Sequence, residues 1–135
     1  MTITYEWRGA FQSNEMNALH AQAFGTRVFD ESEWNWVEQV RRHSLGWVVA
    51  RSGAELVGFV NVLWDGLVHA WLQDVMVAQA ERRRGIGVEL VRRARDGAKD
   101  AGCEYLHVDF EDQLRTFYFD ACGFMPTDAG LMRLT

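Results

Sequence analysis

The chain has 135 residues, a formal net charge of -5, 48% hydrophobic and 13% aromatic residues, so it can bury one core without disulfide or metal support and is too apolar to be disordered. The acidic total excludes a surface built throughout for nucleic acid, which draws on a broad excess of Lys and Arg, and confines any basic site to one place. Cys103 and Cys122 lack metal-ligand spacing, no basic-then-apolar leader opens the chain, and no apolar run nears the ~20 residues of a membrane helix. The expectation is therefore one cytoplasmic domain over 1–135, without metal, membrane or nucleic-acid partner.

Ile3, Tyr5 and Trp7 alternate with Thr4 and Glu6, the period of a half-buried strand. Met16, Leu19, His20, Ala23 and Phe24 then recur at helical spacing, with Ser13 as cap and Gly25 as stop. A second helix is predicted over 30–43, with Asp30 or Ser32 as cap and Trp34, Val37, Val40 and Arg41 on one face. Three strands follow, at 46–51, 56–64 and 67–77, separated by the turn pairs Ser52-Gly53 and Asp65-Gly66. Ile86, Leu90, Val91, Ala94 and Ala98 form the apolar stripe of a long helix whose other side is charged and whose end is Gly102. A strand over 105–110, a short helix over 113–121 and a closing pair of strands at 123–126 and 131–135 complete the order β-α-α-β-β-β-α-β-α-β-β.

The stretch Glu81 to Gly87 reads E-R-R-R-G-I-G. A helix starting there already carries about half a positive charge at its N-terminal end, so three arginines are unfavourable unless an anion joins them. Unpaired N–H groups at a helix start attract phosphate, and Gly85 and Gly87 let backbone approach it closely. A solvated charge run at the helix entry is the plain alternative. The G-x-x-x-x-G-K-[ST] loop is absent, and Leu90 stands where a dinucleotide fingerprint requires its third glycine.

Leu72-Gln73-Asp74-Val75-Met76-Val77, followed by Arg82-Arg83-Arg84-Gly85-Ile86-Gly87, resembles the acyl-CoA motif [RQ]-x-x-G-x-[GA] of the GNAT acetyltransferases, with Arg82, Gly85 and Gly87 at its three defined positions. Downstream, the stretch from Phe117 through Tyr118 to Gly123-Phe124 resembles that family's Y-x-x-x-x-G-F signature. The resemblance implies an α+β, GNAT-like α/β fold with a mixed, mostly antiparallel sheet splayed between strands 4 and 5 and flanked by about four helices. It implies acetyl-CoA as co-substrate, its pantetheine arm lying along the backbone of Val75, Met76 and Val77 as an extra strand would. Arg82, Arg83, Arg84, Gly85, Ile86 and Gly87 would hold the pyrophosphate. Glu111 stands where the family commonly places an asparagine that contacts the cofactor, and Ala78-Gln79-Ala80 replaces a customary proline. Members are often dimers, so a homodimer falls within the expectation.

Moving an acetyl group from a thioester to an amine needs a neutral amine, a polarised carbonyl and a proton for the departing thiolate. By resemblance Tyr118 is the proton donor, and a phenol stays protonated at neutral pH; a buried packing tyrosine is the alternative. Asp74 is the candidate base, acting directly or through water, or else a structural carboxylate. His69 and His107 suit base chemistry but equally suit strand packing. Trp34, Trp36, Trp64 and Trp71 suit an aromatic cage for a cationic amine, or ordinary core. The expected activity is transfer of acetyl from acetyl-CoA to a primary amine of a small molecule or peptide, by direct attack in a ternary complex. A non-catalytic acyl-CoA sensor is the alternative, and a nucleic-acid binder using Arg82 to Arg84 would require strongly salt-dependent binding.

Overall fold

The computed structural model describes residues 2–135. Strands β1 (Ile3–Trp7), β2 (Ser44–Ser52), β3 (Glu55–Trp64), β4 (His69–Val77) and β5 (Tyr105–His107) form one sheet in sequential order. Short hairpins make the first three pairings antiparallel, with Gly53 at φ +62° between β2 and β3, and Asp65 accepting from the amides of Leu67 (2.8 Å) and His69 (3.1 Å) between β3 and β4. β4 and β5 are parallel, which requires a crossover, and helix α3 (Ile86–Asp100) supplies it.

Neighbouring residues on a strand face opposite ways, and β3 shows which helix covers which face. Phe59 packs its ring on Trp36 and Phe11, on the side of helices α1 (Ser13–Phe24) and α2 (Trp36–His43). A Cβ on Gly58, next along the strand, would meet Ile86 and Leu90 of α3 at 3.1 Å. The predicted stripe Ile86, Leu90, Val91, Ala94 and Ala98 is buried in full against that second face. Trp7 of β1 wedges between β2 and α3, and a Cβ on Gly97 would fall 2.5 Å from its ring.

The sheet and helices follow the predicted order up to the last short helix, with local corrections. Ser13 does not cap α1; it is buried, donates to Asn35 Oδ1 and accepts from the Val37 amide, both at 3.2 Å, tying α1 to α2. The second helix starts at Trp36 rather than near Asp30. Asp30 instead closes a turn, accepting from Ser32 (2.9 Å) and Glu33 (3.1 Å), and Asn35 caps the helix through the Glu38 amide at 3.0 Å. β5 stops at His107 because 108–110 have no ladder partner once β4 bends away. The helix expected at 113–121 is a 3₁₀ turn (Asp112–Leu114) and a π-helical turn (Thr116–Ala121).

The closing strands at 123–126 and 131–135 are not formed: residues 122–135 contain no helix or strand. Asp128, Ala129 and Gly130 are weak strand formers. Leu131 beyond them stays 90% exposed, and the sheet edge on that side is the three-residue β5, too short to template a further pair.

Candidate active site

The site begins with a defect in β4. Register with β3 shifts between Phe59 and Asn61, which face Met76 and Gln73, so β4 carries one extra residue there. Asp74 lies in that bulge at φ +58°, a left-handed conformation uncommon for a side-chain-bearing residue. Bulges sharpen twist and bend their strand. β4 pairs with β5 only from His69 to Trp71, and beyond that point the two strands part. The edge of β4 that includes Val75, Met76 and Val77 is therefore unpaired on the β5 side, the condition under which an extended ligand adds as a strand.

β4 leads through a 3₁₀ turn (Gln79–Glu81) to the start of α3. Arg83 at φ +69° and Gly85 at φ +77° fold the connection, a left-handed pattern of the kind that gathers amides into anion-binding nests. Gly85 is the N-cap of α3 and no side chain caps the helix, so its first amides remain available. Arg82 and Arg83 are exposed and have no ion pair among the described residues, whereas Arg84 pairs with Glu81. Ile86 turns its side chain into the core and has only backbone to offer a ligand. Gly87 is where three elements meet: a Cβ there would stand 3.1 Å from the ring of Phe117 and 3.9 Å from Val77. These residues fit a pyrophosphate: uncapped amides at the helix start, exposed arginines beside them in the chain, and Gly85 with nothing within 4 Å of where a Cβ would stand.

The contact of Phe117 with Gly87 brings the π-helical turn, and with it Tyr118, up to the head of α3. Tyr118 is 6% exposed, stacked on Phe110 at 4.6 Å and edge-on to Phe117 and Phe124. Burial, with smaller contributions from Cys122 and Asp109, pushes its phenol up to about 12. Asp74 is partly buried with no hydrogen-bond partner among the described residues, and burial pushes its carboxyl up to about 6. A carboxyl near that value is largely ionised at pH 7 yet basic enough to accept a proton.

Glu111 lies on the far side of the gap, exposed, and accepts from Gln113 Nε2 at 2.6 Å. His69 and His107 meet each other at the paired end of β4 and β5, away from Asp74. Trp36 is fully buried and stacked on Trp34 at 4.4 Å beside His20, which is core packing rather than a cage. Trp64 and Trp71 are exposed.

Two residues escaped the sequence reading. Phe117 sets the distance between the π-helical turn and α3, and its only signal was its place next to Tyr118. Asn61 is 1% exposed, bonds Ser44 through Oδ1, and leaves Nδ2 without a partner, beside Gln73 and one step from the bulge. A groove of about 350 Å³ lined by Val88, Val91, Leu106, Cys122 and Phe124 lies apart from the bulge and contains none of the predicted site residues.

The acetyltransferase (GNAT) family matches residues 13–124. A probable glucosamine 6-phosphate N-acetyltransferase of Oryza sativa subsp. japonica is 43% identical over 54 residues, 40% of this chain and 32% of that protein. The chain thus matches about a third of the length of that curated relative. A probable acetyltransferase from meticillin-resistant Staphylococcus aureus superposes with a TM-score of 0.80 at 19% identity, covering 99% of both chains. The aminoglycoside N-acetyltransferase AAC(6')-Iy in complex with CoA superposes with a TM-score of 0.74 at 16% identity, covering 100% of this chain and 97% of that one. With the matched segment running from α1 through the π-helical turn and the fold shared end to end, this chain belongs to the GNAT family of acetyltransferases.

Proposed function

We propose that residues 1–135 form one domain that transfers an acetyl group from acetyl-CoA to a primary amine by direct attack in a ternary complex. The observation that carries the reading is the convergence at Gly87, where β4, the uncapped start of α3 and the turn bearing Tyr118 come together beside an unpaired strand edge. Acetyl-CoA, when bound, supplies the activated acetyl thioester. Arg82, Arg83 and the amides from Gly85 to Gly87 bind its pyrophosphate, and the backbone of Val75 to Val77 holds its pantetheine arm.

Asp74 takes the proton from the incoming ammonium, directly or through water, which frees the lone pair for attack. Tyr118 hydrogen-bonds to the departing sulfur. With its phenol at about 12, complete proton loss to a thiolate of pKa ~8.5 would be uphill by several kcal/mol, so its contribution is a hydrogen bond that strengthens as charge develops on sulfur. The acceptor class we favour is an amino sugar, because the relatives described above act on glucosamine 6-phosphate and aminoglycosides.

The test is CoA thiol release from acetyl-CoA in the presence of glucosamine 6-phosphate, an aminoglycoside and a peptide amine. Release with at least one amine, lost in Tyr118→Phe while acetyl-CoA affinity persists, supports the reading. Tight acetyl-CoA binding with no release for any amine would replace it with a sensing module.

A further inference from the structure

The parallel ladder pairs His69 with Tyr105 and Trp71 with His107, which places all four rings on one face of the sheet. His69 stacks on Tyr105 at 5.1 Å and Trp71 on His107 at 5.0 Å. His107, Trp71 and Tyr105 are exposed, and His69 is partly so. His69 Nδ1 lies 2.8 Å from His107 Nε2. The mechanism uses none of these residues, since the strands part only beyond them. Hydrogen-bonding two exposed imidazoles to each other yields little net stability, because water serves either ring nearly as well.

We propose that His69 and His107 form a surface site for a divalent transition-metal ion, Cu(II) or Ni(II), bound by the two imidazoles and completed by water. Metal–imidazole bonds are about 2.0–2.1 Å long. Two nitrogens 2.8 Å apart then subtend roughly 85–90° at a shared ion, the angle between adjacent positions of a square-planar or tetragonal centre. A tetrahedral zinc site would need the nitrogens about 3.3 Å apart. No group of three or more His, Cys, Asp or Glu among the described residues could hold a metal, so the protein contributes two ligands and solvent the rest. Asp65 Oδ1, nearby in the turn, is already engaged by the amides of Leu67 and His69.

One imidazole now donates to the other, and both nitrogens must present lone pairs to a metal. The donor ring shifts its proton to its outer nitrogen, exchanging it with water, so a neutral pair binds without net proton release. The bound ion would clip β4 to β5 at the paired end of the two strands whose other ends open at the candidate cofactor site.

The experiment titrates tag-free protein with CuCl₂, NiCl₂ and ZnCl₂, following tryptophan fluorescence, and records the electron paramagnetic resonance spectrum of the copper form. The expected result is one Cu(II) with hyperfine coupling to two nitrogens, Cu(II) and Ni(II) bound more tightly than Zn(II), and a rise in melting temperature. His69→Ala and His107→Ala should each weaken copper binding at least tenfold, while His20→Ala and His43→Ala should not. Trp71→Phe should keep the affinity and lose most of the quenching. A one-nitrogen spectrum, unchanged affinity in both strand variants, tighter binding of zinc, or no copper binding below millimolar would each overturn the proposal; the wild-type spectrum decides even if a variant fails to fold.

Discussion

Asp74 combines a left-handed backbone, a bulge and a carboxyl without a partner, and each has a measurable consequence. Its pKa rises from 3.8 to about 6 on folding. The native state therefore holds more protons than the unfolded state between those values, and stability falls as pH climbs from about 4 through about 6. Above pH 6 the full penalty is present, at most about 3 kcal/mol. Asp74→Asn should thus melt higher than the wild type at pH 8, by up to that amount, with the advantage gone below pH 4. The same variant should lose the ascending limb near pH 6 in kcat/KM. Retention of that limb would remove Asp74 as the base. Tyr118→Phe keeps the stacked ring, so kcat should fall by about 10²-fold or more while stability changes by less than about 1 kcal/mol; an unchanged kcat contradicts the sulfur contact. Asn61→Leu removes the orphaned Nδ2 together with the acceptor of the Ser44 hydroxyl, so it is the double variant Asn61→Leu with Ser44→Ala, which takes away both partners, whose melting temperature should hold or rise. A loss of several kcal/mol would mean Nδ2 has a partner in solution.

At the level of elements, two glycines of one helix separate packing from binding. Gly97 faces Trp7, with 2.5 Å left for a Cβ, so Gly97→Ala should cost about 1–3 kcal/mol by overpacking and leave cofactor affinity unchanged. Gly85, at φ +77° with open space around it, should cost about 1–2 kcal/mol as alanine through backbone strain and should also weaken acetyl-CoA binding. Denaturant melts and calorimetry on the two variants distinguish the roles. The same helix shows what sequence makes legible. Its stripe and its glycines are local signals, and all five predicted core positions are buried. The start of α2 was less legible, because Asp30 with Glu33 is as good a turn as a cap, and only packing of Ser13 on Asn35 chooses between them. The bulge at Asp74 leaves no trace in composition, since an extra residue in a strand is defined by its partner's register. The closing strands predicted at 123–126 and 131–135 depend on a partner as well as on their own residues, and the adjacent edge, β5, is only three residues long.

For the molecule as a whole, the charge is -5 while three arginines cluster at the head of α3, so the proposed attraction for phosphate is local rather than spread over the surface. Residues matching the family's two motifs meet at Gly87, although Val77 and Phe117 lie 40 positions apart in sequence. No helix among the described residues is long and apolar enough to cross a membrane. The most direct test of the central claim is a calorimetric titration of the protein with acetyl-CoA beside a variant carrying Arg82→Ala and Gly85→Asp. Micromolar binding by the wild type, lost in the variant while its melting temperature stays within a few degrees, is the predicted result. No heat from the wild type at millimolar acetyl-CoA, or equal affinity in the two proteins, would contradict the assignment of the head of α3 as the pyrophosphate site.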